Sequence, residues 1–255
     1  MNSLTENSSL NICVLGNSHA GSLKLGWNLI EQDYPEIKIT FFAARACGLE
    51  HLSVRKGMLV PTNVHLKKSL SHTSGGHEAI DLSLFDICLI YGLRFSFPYK
   101  LEIGRTTHHL SKAAYECSIH DTITNTLSIQ VLKKVRCLSK IPVYIGHNPL
   151  TARNRNSFLK EPISYPEFVA GINRILIADQ AVLLAQPEET ITENIYTKAE
   201  YKSGAVCLDV GDKSANQPYA SEDNVHMNDE FGRIYLQHFI QQIPMSAVRR
   251  NYSPD

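Results

Sequence analysis

The residues best suited to chemistry lie near the two ends of the chain. The first group is Gly16 to Ala20, which reads Gly-Asn-Ser-His-Ala and follows the apolar segment Ile12 to Leu15. Beyond it the apolar residues take helical spacing, with Leu23 and Trp27 on one face. A tight turn between a strand and a helix places Ser18 at a helix N-terminus, where backbone N–H groups are unpaired and favour negative charge. A serine at that point is a helix cap, part of a phosphate-binding loop, or a nucleophile.

These three possibilities make different demands on the flanking residues. A phosphate-binding loop requires Lys and then Ser or Thr after its second glycine, whereas Ser22 and Leu23 follow Gly21 here. The nucleophile elbow of an α/β-hydrolase usually comes after several strands, whereas Ser18 follows the first one. The segment by itself therefore leaves open a helix cap and a nucleophile in another fold.

The C-terminal part of the chain holds residues that could activate a nucleophile. Asp223 and His226 are three residues apart in a polar loop, and Asn228 can cap the helix that follows. The carboxylate can accept a hydrogen bond from one imidazole nitrogen while the other nitrogen acts as a base. Taken alone, such a pair is better explained as a surface aspartate and a surface histidine in a polar loop.

Together, the two segments resemble the SGNH, or GDSL-like, hydrolase family. The first motif of that family is Gly-Asp-Ser or, in one branch, Gly-Asn/Asp-Ser-His, and its last is Asp-x-x-His just before the final helix. Here these motifs match Gly16 to Ala20 and Asp223 to His226, so the resemblance spans the chain from end to end. It implies that Ser18 is the nucleophile, that His226 is its base, and that Asp223 orients the imidazole.

The resemblance also implies donors for the oxyanion that forms on acyl transfer. In the family, one donor is a glycine N–H after the second strand, a place that Gly48 or the backbone near Ala44 would take. Another is an asparagine side chain in a Gly-x-Asn after the third strand, where this chain reads Gly92-Leu93-Arg94. Arg94 could donate to the oxyanion, bind an anionic part of the substrate, or pair with a carboxylate.

Two polar residues follow the fourth predicted strand. His147 would face the cleft and line it. Asn148 could replace the missing asparagine donor. A turn before Pro149 would also account for an asparagine at this position without any role in the site.

Alternating strands and helices predict an α/β fold with a parallel sheet covered on both faces. We expect a three-layer α/β/α sandwich with a mostly parallel, flavodoxin-like sheet, with ligands outside the carboxyl ends of its strands. This is also the SGNH hydrolase fold. The apolar segments predict strands at 12–15, 37–43, 85–91, 141–145 and 181–185, a short edge strand at 206–208, and helices near 111–138 and 165–179.

The length fits one domain. Residues 1–255 are expected to form a single SGNH hydrolase-like domain, because a chain of this size can bury a full core without dividing in two. A disordered tail is expected at 1–9 and a second tail at 246–255. The polar stretches 49–83 and 93–110 are expected to be irregular insertions near the site.

Composition excludes several classes of partner. The 25 basic and 25 acidic residues balance, which argues against a nucleic-acid surface. No apolar segment approaches the length of a membrane span, and the N-terminus lacks the basic start and apolar core of a signal peptide. The six cysteines form neither a Cys-x-x-Cys pair nor a cluster with zinc spacing. We therefore expect a cytoplasmic protein that uses no metal and no cofactor; the oligomeric state is not indicated.

The form of the first motif limits the range of substrates that the resemblance implies. It resembles that of SGNH domains that act on acetylated sugars and polysaccharides, including domains that transfer acetyl groups. The resemblance implies a serine esterase that removes acetyl or another short acyl group from a carbohydrate ester through an acyl-serine, or a saccharide O-acetyltransferase with the same triad. The departure at Arg94 supports a third hypothesis, a non-catalytic ligand-binding module with this fold.

Overall fold

Five parallel strands form the central sheet in a computed structural model that describes residues 9–97, 114, 117, 120–121, 123–152 and 164–244. These strands are β1 (Leu10–Gly16), β2 (Ile37–Ala43), β3 (Ile87–Tyr91), β4 (Val143–Gly146) and β5 (Ala181–Leu184), in the spatial order β2-β1-β3-β4-β5. This is the flavodoxin-like order, in which the chain reverses direction across the sheet between β1 and β3. The predicted α/β class and the three-layer architecture are confirmed.

The register of the sheet brings the strand ends to one edge. Gly16 pairs with Ala43 on one side of β1 and with Tyr91 on the other, and Tyr91 pairs with Gly146. The loops that follow β1, β2, β3 and β4 therefore leave the sheet at the same edge. Ligands of such sheets bind at this edge, where the strand order reverses.

Five α-helices in the described part of the chain cover the two faces of the sheet. They are α1 (Ala20–Ile30), α2 (Val64–Ser74), α3 (Leu127–Arg136), α4 (Tyr165–Leu176) and α5 (Asp229–Gln241). The side chains of Asn63, Thr126, Ser164 and Asn228 accept hydrogen bonds from first-turn N–H groups and so begin the last four of these helices. Helices α1 and α5 bury their apolar residues with one face of the sheet, and α2, α3 and α4 bury theirs with the other.

Helices α1 and α5 approach each other backbone to backbone. A Cβ atom added to Gly232 would lie 1.9 Å from the carbonyl oxygen of Ser22, and one added to Gly26 would lie 2.2 Å from the backbone nitrogen of Arg233. Only glycine permits this crossing. Because α1 begins just after Ser18 and α5 begins just after His226, the crossing sets the distance between the two motifs.

Two details of the sequence-based prediction are wrong. Residues 49–83 are not irregular, because they contain an antiparallel hairpin (Leu52–Arg55 with Met58–Pro61) and helix α2. The buried side chains of Leu59, Leu66 and Leu70 hold this stretch against the core. Residues 206–208 form no sheet strand, and Val206 makes only an isolated bridge with Pro218.

Other expectations fall partly outside the described residues. Of the stretch 93–110 only residues 93–97 are described, and of the tails 1–9 and 246–255 only residue 9. The helix predicted near 111–138 is seen as α3, preceded by helical residues at scattered positions between 114 and 124. Within the described part of the chain, no helix combines the length and the apolar character needed to cross a membrane.

Candidate active site

Ser18 lies in the turn that joins β1 to α1. The helix begins at Ala20 with His19 in the capping position, so the Ser18 hydroxyl does not cap it, and the capping hypothesis is wrong. The hydroxyl instead lies 2.9 Å from Nε2 of His226, a residue 208 positions later in the chain. The Ser18 side chain is therefore available for chemistry with that imidazole.

The second bond of the arrangement joins His226 to Asp223. Nδ1 of His226 lies 2.9 Å from Oδ2 of Asp223, and Oδ1 of the same carboxylate accepts hydrogen bonds from the backbone N–H groups of Val225 and His226. Burial alone would raise the pKa of Asp223, but the hydrogen bonds from His226 and Val225 outweigh it and lower that pKa below its ordinary value. The carboxylate is consequently charged at neutral pH.

These contacts assign a tautomer to His226. A charged carboxylate can only accept, so Nδ1 carries the proton and Nε2 presents its lone pair to the Ser18 hydroxyl. This is the geometry of a serine–histidine–aspartate triad, in which the imidazole can remove the serine proton while the carboxylate stabilises the imidazolium.

The backbone N–H of Ser18 could donate to an oxyanion, whereas the N–H groups predicted for this role at Gly48 and Ala44 are already paired. No described residue accepts a hydrogen bond from the Ser18 N–H, which lies just before the start of α1. The N–H groups of Gly48 and Ala44 are already paired, with the carbonyl oxygens of Arg45 and Gly16 respectively. The geometry thus supports Ser18 N–H as a donor and gives no support to Gly48.

Arg94 is exposed and makes no hydrogen bond or ion pair with another described residue. It lines a polar cavity of about 230 Å³ together with Glu50, Asn125, Thr126, Leu127 and Gln130. No contact joins it to the triad, so its role as an oxyanion donor stays a prediction without geometric support.

Gly92 supports the site in a way that the sequence did not reveal. It adopts a φ of +79°, and an added Cβ would lie 2.4 Å from the side-chain oxygen of Asn17. That oxygen also accepts a hydrogen bond of 3.1 Å from the backbone N–H of His19. Asn17 therefore shapes the turn that presents Ser18, and the only sequence signal for this was its place in the first motif.

The side chains of His147 and Asn148 form hydrogen bonds with residues outside the triad. His147 is 3% exposed, and its Nε2 lies 2.6 Å from the hydroxyl of Tyr165, which also accepts from the backbone N–H of Gln186. This position in a buried network does not line a cleft. The amide nitrogen of Asn148 donates to Ser96 Oγ, while its amide oxygen is buried against Gly92 and has no partner among the described residues.

Two buried histidines predict a dependence of stability on pH. Burial lowers the pKa of His19 to about 3 and that of His147 to about 4, from an ordinary value of 6.5. Between pH 6.5 and pH 5 each of these histidines binds a proton in the unfolded chain but not in the folded one. Lowering the pH over this range therefore reduces the free energy of unfolding by about 2 kcal/mol per histidine. Urea denaturation at pH 7 and pH 5 measures this loss.

The variant His19→Phe is the control for that measurement, because it removes one of the two buried histidines. We expect its loss between the two pH values to be smaller than that of the wild type by about 2 kcal/mol. The lowered pKa of Asp223 affects stability only below about pH 4 and does not interfere. An identical pH dependence in both proteins would contradict the prediction.

The fold and the site together define an α/β protein with a serine–histidine–aspartate arrangement at the carboxyl edge of its sheet. The fold that the resemblance implies, a three-layer sandwich with a flavodoxin-like parallel sheet, is the one observed. No known family model matches the chain, and no curated protein matches it significantly.

Several solved structures are similar. The periplasmic domain of a lipopolysaccharide acetyltransferase from Salmonella ser. Paratyphi A is 10% identical, with 93% of this chain and 84% of that one covered and a TM-score of 0.45. An acetyl xylan esterase from Geobacillus stearothermophilus is 11% identical, with 97% and 98% covered and a TM-score of 0.44. A Bacillus subtilis protein is 13% identical, with a TM-score of 0.38. The match covers 92% of this chain but only 57% of the length of the Bacillus protein. At these values the similarity carries no conclusion about activity.

Proposed function

We propose that this protein is a serine esterase that removes an acetyl or other short acyl group from a carbohydrate ester through an acyl-serine at Ser18. The observation that carries the proposal is the pair of 2.9 Å contacts that link Ser18 to His226 and His226 to Asp223. The carbohydrate part of the proposal rests on the form of the first motif, Gly16 to Ala20.

The first half of the reaction forms the acyl-serine. His226 Nε2 takes the proton of the Ser18 hydroxyl as Oγ attacks the ester carbonyl carbon, and the carbonyl electron pair moves to oxygen. The Ser18 N–H donates to that oxyanion, a type of contact worth roughly 3–4 kcal/mol in the transition state. The intermediate then collapses, and the imidazolium gives its proton to the departing alcohol oxygen.

The second half regenerates the serine. Water attacks the acyl carbon while His226 takes one of its protons, and collapse of this intermediate returns the proton to Ser18 Oγ and releases a carboxylic acid. If a saccharide hydroxyl attacks instead of water, the same steps yield an O-acetylated sugar. Release of acetate with and without a saccharide acceptor therefore distinguishes the esterase from an O-acetyltransferase.

A non-catalytic ligand-binding module is the second candidate. It is favoured by the incomplete oxyanion hole, because the Gly48 N–H is already paired and Arg94 lines a separate cavity. Such a module would bind its ligand without forming a covalent serine adduct.

Intact-mass spectrometry after incubation with a fluorophosphonate tests the proposal. We expect the wild type to gain one phosphonyl group and Ser18→Ala to gain none, because only a serine activated by His226 reacts at neutral pH. Ser83→Ala, which removes an exposed serine, is the matched control and should react like the wild type. A wild-type protein that gains no adduct would contradict the esterase and support the binding module.

A further inference from the structure

The imidazole of His226 is stacked between two other rings. The ring of Tyr219 lies parallel to it, with the centroids 3.8 Å apart and an angle of 6° between the planes. The ring of His19 is also stacked on it, with the centroids 4.7 Å apart and an angle of 25°. Two rings at these distances cannot share one face of an imidazole, so His19 and Tyr219 cover opposite faces. We call these two residues the aromatic clamp.

His19 is placed by the same turn that places Ser18. Its backbone N–H is held by Asn17, and its carbonyl oxygen accepts a hydrogen bond from Ser22 Oγ. His19 is 7% exposed, and its buried Nδ1 has no hydrogen-bond partner among the residues that the structure describes. The face of the ring, which lies against His226, is therefore the contact of this side chain with the site.

The protonation state of His19 suits a position beside a catalytic base. Burial first, and the neighbouring His226 second, lower the pKa of His19 to about 3, so the ring is neutral near pH 7. A neutral ring does not oppose the positive charge that His226 acquires when it takes the serine proton, whereas a second imidazolium at 4.7 Å would.

Tyr219 is held by a loop that is anchored to the body of the protein. Its backbone N–H donates to the carbonyl oxygen of Ala205, and the guanidinium of Arg45 binds the carbonyl oxygen of Leu208 and the carboxylate of Asp212 in the same loop. Burial first, and the adjacent Cys207 thiol second, raise the pKa of Tyr219 well above its ordinary value, so the phenol is neutral. The face of a neutral phenol attracts a cation placed over it.

We propose that His19 and Tyr219 are positioning residues that clamp His226 in the plane joining Ser18 Oγ to Asp223 and favour its cationic form during acyl transfer. This inference rests on the proposed function, because it assigns the clamp to the acylation of Ser18. Neither ring touches the reacting atoms in this role. Each acts through the imidazole that it covers.

The rate of fluorophosphonate labelling of Ser18, measured against reagent concentration, tests the clamp. Such data separate the maximal labelling rate from the concentration that gives half of it. His19→Ala and Tyr219→Leu should each lower the maximal rate by about tenfold, the upper range for loss of one aromatic contact, and leave the half-saturating concentration unchanged. His19→Phe and Tyr219→Phe keep a flat ring and should label within about threefold of the wild type.

Tyr34→Leu is the matched control. It removes an aromatic ring whose centroid lies 6.3 Å from that of Trp27, and Tyr34 follows the C-terminal end of α1, the end away from Ser18. It should label at the wild-type rate. His19 is buried, so His19→Ala could label slowly because it misfolds. Tyr219 is only partly buried and lies on a loop, so Tyr219→Leu tests the clamp without that risk.

Each outcome bears on the clamp in one direction. Wild-type rates in His19→Ala and Tyr219→Leu would overturn it, as would phenylalanine variants as slow as the alanine and leucine variants. These results would leave the proposed function intact. A wild-type protein that takes no label at all would contradict the proposed function and, with it, the clamp.

Discussion

Replacing Asp223 by asparagine should lower the rate of Ser18 acylation by about 10⁴-fold while the protein stays folded, the loss typical of this change in a serine triad. The structure explains why so small a change has so large an effect. Oδ1 of Asp223 is held by the backbone N–H groups of Val225 and His226, at 2.9 and 2.8 Å. An asparagine side chain keeps those bonds only if its oxygen takes the place of Oδ1.

The amide NH₂ group of that asparagine must then face Nδ1 of His226. A donor at this point forces Nδ1 to accept, so the proton of the neutral imidazole moves to Nε2. Nε2 faces the Ser18 hydroxyl at 2.9 Å, and with a proton bound it can no longer act as a base. The variant thus fails because it stabilises the wrong tautomer.

The second-order rate of fluorophosphonate labelling measures this effect. Asp229→Asn is the matched control, because it removes one exposed carboxylate at the start of α5 without contacting the imidazole, and it should keep the wild-type rate. A labelling rate for Asp223→Asn within tenfold of the wild type would show that Asp223 does not orient His226.

Gly232→Ala should destabilise the protein by about 2–3 kcal/mol. Alanine favours a helix over glycine by about 1 kcal/mol, so a helical glycine in open space would gain stability from this change. At this position the new Cβ would lie 1.9 Å from the carbonyl oxygen of Ser22, and no side-chain rotation can relieve a clash with backbone. Overpacking typically costs 1–3 kcal/mol, and we expect helices α1 and α5 to separate.

Separation of the two helices would also move Ser18 away from His226, since one residue precedes α1 and the other precedes α5. The folded fraction of Gly232→Ala should therefore label more slowly than the wild type. Urea denaturation gives the change in stability, and Gln241→Ala, an exposed change in the same helix, is the control that should stay within about 0.5 kcal/mol. Unchanged stability of Gly232→Ala would contradict the backbone contact.

Several elements could be predicted because their signals are local. The strand at 37–43 was predicted with the bounds that β2 has, and the continuous apolar runs before Gly16 and Gly92 marked β1 and β3. Strands buried on both faces produce such runs, and alternation with helices then predicts a parallel sheet. The hairpin within 49–83 was missed because each of its strands has four residues and buries only one of them, so neither shows a clear periodic pattern.

The roles predicted for Gly48, Arg94 and His147 show which features of a site the local sequence does not predict. Each was assigned from its position after a strand, which indicates the edge of the sheet but not the direction of a side chain or the partner of an N–H group. The N–H of Gly48 is paired within its own turn, Arg94 points into a separate cavity, and His147 is buried beside Tyr165. A shift of one residue in a loop changes which side chain faces the site, and the local sequence does not predict the conformation of the loop that precisely.

The sequence by itself determined the fold class, the flavodoxin-like sheet, and the choice of Ser18, Asp223 and His226 as the residues to examine. Residue type and spacing suffice for these, because strands, helices and short motifs depend on neighbours in the chain. Only the tertiary structure decided that Ser18 meets His226, that Asn17 rests on Gly92, and that the rings of His19 and Tyr219 enclose the imidazole. Those contacts join residues far apart in sequence, and they depend on how closely two helices pack, which is a property of the whole core.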